Sequence, residues 1–218
     1  MIKFSKDADI LKYEPILFGQ LHLPWQVLAA GTDGTVSGTT FISNAADFVS
    51  AQVAAGGVIY MQTADGQLDG AYEIVSVDSA TQLTVSVIRA DSDDAAVAPP
   101  AGSDISYRIS TFDPQATEAG FRLTEYFGIK PGNPASDIDA SGILDTEVLR
   151  RASVFAIISS LYAIVASRAE DENHWKKSLH YQKEFEKARQ RCRLSIDLGG
   201  DGTADVTKVG ASIRMVRD

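Results

Sequence analysis

The residues most suggestive of chemistry lie late in the chain, in Asp197-Leu198-Gly199-Gly200-Asp201-Gly202-Thr203-Ala204-Asp205. Asp at positions one, five and nine with Gly at six matches a calcium loop, where oxygen ligands surround a sharp turn. Two required positions fail: the third is Gly199, and the twelfth is Lys208 where a bidentate Glu closes such a site. A tight turn is the better reading, with Gly supplying positive φ and Asp capping its own backbone. His174 and His180 are six residues apart on a predicted helix, so they do not share a face as paired ligands must. Cys192, the single cysteine, falls in the apolar series Trp175, Leu179, Phe185, Ala188 and Cys192 and reads as core rather than nucleophile. No Gly-x-Ser-x-Gly elbow, phosphate loop or dinucleotide fingerprint occurs. The expectation is a protein with no catalytic residues, no metal site and no cofactor.

One dense basic run remains: Lys176, Lys177, Lys183, Lys187, Arg189, Arg191 and Arg193, with Glu184 and Glu186 interleaved. A surface that tracks phosphates needs an unbroken basic stripe. A solvated helix face or a salt-bridged partner contact is the better reading, and a neighbouring copy's acidic block would be a suitable partner. The whole chain of 218 residues carries a net charge of -9, which excludes a generally basic nucleic-acid binder. With 44% hydrophobic and 22% charged residues it can bury a core. The lone cysteine excludes an internal disulfide, and Lys3, Lys6, Asp7 and Asp9 argue against an N-terminal signal peptide.

The elements that must position these groups separate by charge. Residues 1–30 balance three acids with three bases; residues 31–112 hold ten acids and only Arg89 and Arg108; residues 113–195 balance twelve with twelve. In the acidic block, period-two alternation in Ile105–Ser110 and Leu83–Val87 predicts strands buried on one face. Tyr72–Val77 and Val58–Gln62 are further strands, Asp78–Thr81 a hairpin loop, and Thr39–Ile42 and Phe48–Val53 weaker strand candidates. Short strands at these intervals predict a small β-barrel or sandwich over 36–112, interrupted by a loop at Ala95–Ala101. Residues 1–35 read as an N-terminal extended segment.

The second half is helical. Asp113-Pro114 starts a helix that Gly128 stops, with Ala116, Ala119, Leu123 and Phe127 on its apolar face. Pro131-Gly132-Asn133-Pro134 is a linker. A second helix begins between Asp139 and Asp145 and runs to Ala169; a third covers Asp171–Leu194. No Gly or Pro separates these two, so one long kinked helix is an alternative to the two-helix reading. Residues 196–218 read as a C-terminal β-hairpin and docking tail. The predicted class is α+β: about three helices in a bundle over 113–195, an inserted barrel, and a terminal hairpin. Ala152–Ser167 is uncharged throughout but too short and too serine-rich for a membrane span. Apolar on every side, it must be buried: either the N-terminal segment and the barrel wrap it within one subunit, or neighbouring subunits cover it through Phe155, Ile158, Leu161 and Val165.

Three stretches carry a family resemblance. Asp9-Ile10-Leu11 with Glu14-Pro15-Ile16-Leu17-Phe18 resembles the opening of neck proteins of tailed bacteriophages. Gly70–Val77 with Thr81–Ser86 is similar to β modules of phage virion proteins, and Ile196–Asp205 running to Ile213–Arg217 looks like the end of head–tail connectors. The large β insertion departs from a simpler helical connector. The resemblance implies a non-enzymatic adaptor in a homo-oligomeric ring of about twelve copies, docked beneath the portal in the neck of the virion and assembled in the host cytoplasm. It would extend the DNA channel without sequence-specific binding and dock a downstream neck or tail protein. Ile213, Met215 and Val216 are the docking-tail candidates, by strand addition to a partner's sheet edge. The alternative is a peptide- or glycan-binding β module on a helical oligomerisation stalk, with Tyr60, Tyr72 and Tyr107 lining its groove.

Overall fold

The computed structural model of the chain describes residues 2–129, 140–169 and 172–210. Among them the protein is α+β, with four α-helices, a closed six-stranded antiparallel barrel and a two-stranded hairpin. The chain divides into two compact units: Lys6–Asp113, and Met1–Ser5 with Pro114–Asp218.

In the first unit the barrel strands are β1 (Val27–Ser37), β2 (Thr40–Ile42), β3 (Val58–Gln62), β4 (Asp69–Val77), β5 (Gln82–Ser86) and β6 (Gly102–Ser110). They close in the order β1-β2-β5-β4-β3-β6, and β6 pairs back onto β1. Closure leaves no open sheet edge. Alternate residues point inward, so Phe41, Ile59, Met61, Ile74, Leu83, Val85, Ile105, Tyr107 and Ile109 fill a single core. Four of the strands expected from alternation are present as β3 to β6, with Asp78–Thr81 as the β4–β5 connection.

Two expectations for this unit fail. Phe48–Val53 is a turn, not a strand: the Asp47 carboxylate accepts the Ser50 N–H (2.9 Å) and hydroxyl (2.7 Å), and Gln52 takes φ +58°. Its apolar ends, Phe48 and Val53, are nevertheless core residues. Conversely, residues 1–35 are not merely extended. They hold β1, so the barrel begins before residue 36, and helix α1 (Asp7–Leu11). The Asp7 carboxylate accepts the Phe112 N–H at 3.0 Å, and Ile10, Leu11, Leu17, Phe18 and Leu23 are buried. β1 escaped alternation because ring contacts replace its side chains. A Cβ on Gly31 would lie 2.7 Å from the Tyr107 ring, and one on Gly34 would lie 2.8 Å from Phe41.

The second unit contains α2 (Asp113–Tyr126, entering at the boundary), α3 (Glu147–Ala169), α4 (Glu172–Arg191), and the hairpin of β7 (Arg193–Ile196) with β8 (Val206–Val209). Ala116, Ala119, Leu123 and Phe127 are all buried, and Gly128 (φ +72°) ends the helix. Ile129 N–H then returns to the Thr124 carbonyl, satisfying an end-of-helix acceptor. The long-helix possibility resolves as two helices. Val148 meets Cys192, Ser159 meets Ser178 and Tyr162 meets His174, so α3 and α4 are antiparallel. The crossing is close because two serines face each other: each hydroxyl donates to the other's carbonyl, at 3.0 and 2.8 Å. The 131–134 linker lies outside the described residues.

Candidate functional site

The four residues expected at a subunit interface are already covered within one chain. Ile158 is 0% exposed, Leu161 1%, Phe155 4% and Val165 7%. The inference from Ala152–Ser167 is therefore corrected: α3 is a core helix and needs no neighbour to bury these side chains. The alternative of cover by the N-terminal segment holds in part: the first residues of the chain join this unit, where the Ser5 hydroxyl meets Ser153 Oγ at 2.8 Å. By length and composition α3 is apolar enough to cross a membrane, but most of that stretch is buried inside the protein.

The face of α4 agrees with the sequence reading from Phe185 to Cys192 and is displaced by one position before that. His174, Ser178, Tyr181, Phe185, Ala188 and Cys192, spaced four, three, four, three and four, form the inward line. Trp175 and Leu179, assigned above to the core, stand on the outside at 50% and 41% exposure. Polar residues mark the true line, which is why apolar counting missed it. Tyr162 of α3 stacks on Tyr181 (6.2 Å between centroids, 7° between planes) and on His174 (5.8 Å, 19°). The Lys177 ammonium donates to the Tyr162 hydroxyl at 2.8 Å. Cys192 lies inside, its thiol donating to the Val148 and Ala188 carbonyls, and burial pushes its pKa up. That is the opposite of nucleophile activation.

The basic run is partly consumed by structure. Lys176 pairs with Glu172 and Lys187 with Glu184, at 3.0 and 2.7 Å. Arg189 lies 3.9 Å from the Tyr126 ring centre and 5.0 Å from that of Phe185. The remaining guanidiniums of Arg191 and Arg193 join Arg151 and Lys187 around a groove of about 350 Å³ between α3 and α4. Val148, Ala152, Phe155 and Ala188 form its apolar lining, and Arg151 lies 5.3 Å over the Phe155 ring. Among the described residues Glu184 is the only carboxylate of its lining, held below the ordinary range by its bond to Lys187 and by the charges of Lys187, His180 and Arg151. Lys187, Arg191 and Arg193 belong to the basic run of the sequence, but Arg151 and most of the apolar lining come from α3, more than thirty residues before them.

In the barrel unit the three tyrosines do not share a groove. Tyr107 points into the core with its hydroxyl 3.0 Å from Ser43 Oγ, and Tyr72 packs against that core. Tyr60 lies on the outer side, donating to the Asp69 carboxylate, a bond that raises its pKa. The two bases of the acidic block, passed over in the sequence, each fasten a loop. Arg89 forms a buried pair with Glu73 (2.8 Å) and donates to the Ser92 and Asp94 carbonyls, at 2.6 and 2.7 Å. Arg108 donates to the Phe18 and Gly19 carbonyls (3.1 and 2.8 Å) and lies 5.2 Å over the Tyr60 ring. Burial lowers the Arg108 pKa.

The 197–208 loop is built as a turn. The Asp197 carboxylate accepts the Gly200 and Gly202 N–H groups (2.6 and 2.7 Å), and Asp205 accepts those of Leu198 and Gly199 (2.7 and 3.1 Å). Gly200 and Gly202 take positive φ. Among the described residues no three His, Cys, Asp or Glu side chains gather as a metal site. The docking-tail candidates Ile213, Met215 and Val216 lie outside the described residues. No protein-family model, curated protein or solved structure compared with the chain matches it.

Proposed function

We propose that the protein is a structural adaptor of a tailed-phage neck, acting by docking rather than by chemistry. The observation that carries this reading is the outer face of α4, where Trp175 and Leu179 stand exposed one turn apart on an otherwise charged helix. Tryptophan is enriched among the residues that carry the binding energy of contact surfaces. The resemblance of the 9–18, 70–86 and 196–217 stretches to virion and connector proteins supplies the identity of the assembly: a ring of copies beneath the portal, with DNA passing through and a neck or tail protein below. The helical unit would act as the body of such a ring, its three helices packing as a bundle. The α3 residues have no part in subunit contact, because the chain itself covers them.

Negative-stain images of the purified chain, alone and mixed with a phage portal, test the proposal. Rings in either sample are expected, and Leu179→Glu with Trp175→Glu should abolish them while leaving circular dichroism unchanged. A chain that remains monomeric in both samples overturns it.

A further inference from the structure

We infer that the groove between α3 and α4 is a receptor for an acidic peptide segment of a partner protein. Arg151, Lys187, Arg191 and Arg193 converge on it against the single carboxylate of Glu184, a local excess of three positive charges on a chain whose net charge is -9. Local charge of this sign against the molecule's own is not required for solubility. Arg191 and Arg193 have no carboxylate partner among the described residues, and Lys187 alone serves Glu184. Guanidinium forks match carboxylates with two parallel hydrogen bonds.

The floor decides between two polyanions. The half-buried Val148 and Ala188 offer an apolar surface within about 350 Å³, room for an aliphatic or aromatic side chain. A nucleic-acid backbone has nothing to place there, and Glu184 interrupts the row that successive phosphates would follow. A peptide with carboxylates flanking one apolar residue satisfies both parts of the site. This inference stands without the adaptor reading, since it rests only on the groove.

The test is fluorescence anisotropy with a labelled synthetic peptide, Asp-Glu-Phe-Glu-Asp, titrated with the full chain at low and high salt. Saturable binding that weakens as salt rises is expected. Arg191→Glu should weaken it by about tenfold or more, while Lys176→Glu, an equal charge change elsewhere on α4, should change it by less than about twofold. The analogue Asn-Gln-Phe-Gln-Asn should not bind. Arg191→Gln replaces the reversal if circular dichroism shows that Arg191→Glu disturbs the last turn of α4. The inference is overturned by absence of binding at low salt, by equal losses in the two reversals, or by binding of the uncharged peptide. A DNA duplex that binds more tightly than the peptide and depends on Arg191 would assign the groove to nucleic acid instead, and overturns it too.

Discussion

In residues 31–112 two arginines stand among ten carboxylates, and both guanidiniums turn onto the backbone of loops. In residues 113–195 cations equal acids in number, and Arg122, Arg151, Lys177 and Arg189 lie over aromatic rings, as Arg108 alone does in the described barrel unit. A barrel encloses its core by its own hydrogen-bonded wall, so a buried charge there acts at a few points where a long loop must be held down. A helical hairpin has only two faces in contact, and its edges are sealed by long cationic side chains whose stems cover apolar rings. Loss of one fastening should therefore be severe in the barrel unit and mild in the helical one, where the apolar line itself carries the stability.

The strongest way to break that contrast lies in the apolar line of α3. Ile158→Asp places a charge at a position with no exposure and should cost about 4 kcal/mol or more. Denaturant melts of the chain should show loss of helix signal ahead of any effect on assembly; a folded but unassembled Ile158→Asp would return the residue to an interface. Next in size is Glu73→Gln, which strands the Arg89 guanidinium in a site where both side chains are 8% exposed. About 3 kcal/mol of destabilisation is expected, by the same melts. The double change Glu73→Leu with Arg89→Met should recover most of it, since the stranded charge rather than the lost pair is the cost. A small loss in Glu73→Gln would mean that the 89–97 loop is not anchored there.

The smallest expected effect concerns the acidic turns of the barrel. Asp78 accepts the Ser76 and Thr84 hydroxyls at 2.6 and 2.8 Å, and these bonds, Ser76 foremost, hold its pKa below the ordinary aspartate value of 3.8. A depressed carboxylate stabilises the fold fully above its unfolded value, and the contribution is lost as pH falls through the folded one. The melting temperature of the native chain should therefore fall more steeply below pH 3.8 than that of Asp78→Asn. Parallel slopes for the two proteins would remove Asp78 from the account of acid sensitivity.

Much of this architecture is legible along the chain, because strand alternation and helix punctuation are local. β3 to β6, the Asp113 helix start, the Gly128 stop and the separate terminal hairpin all follow from neighbours a few residues apart. The 197–208 turn was equally readable, since its Gly and Asp residues satisfy one another's backbone. What failed has a common cause. β1 has glycines where its inward side chains would be, the α4 inward line contains His174, Ser178 and Tyr181, and Phe48 reaches the core from a turn.

The sequence by itself determined most of the segments that are strand or helix, that the acidic block is a small β unit, and that α3 must be buried; closure of the barrel through β1 was decided by tertiary pairing. Only the tertiary structure decided what buries α3. Hydrophobicity states that a side chain leaves water but not which partner receives it, and Ser5 and Ser178 come to α3 from opposite ends of the chain. The same holds for Arg89 and Arg108, whose roles depend on a carboxylate and on carbonyls that pairing alone brings near. The cationic groove is of this kind as well: Lys187, Arg191 and Arg193 lie at the end of α4 and the start of β7, Arg151 and most of the apolar lining on α3, and packing of these elements creates the site.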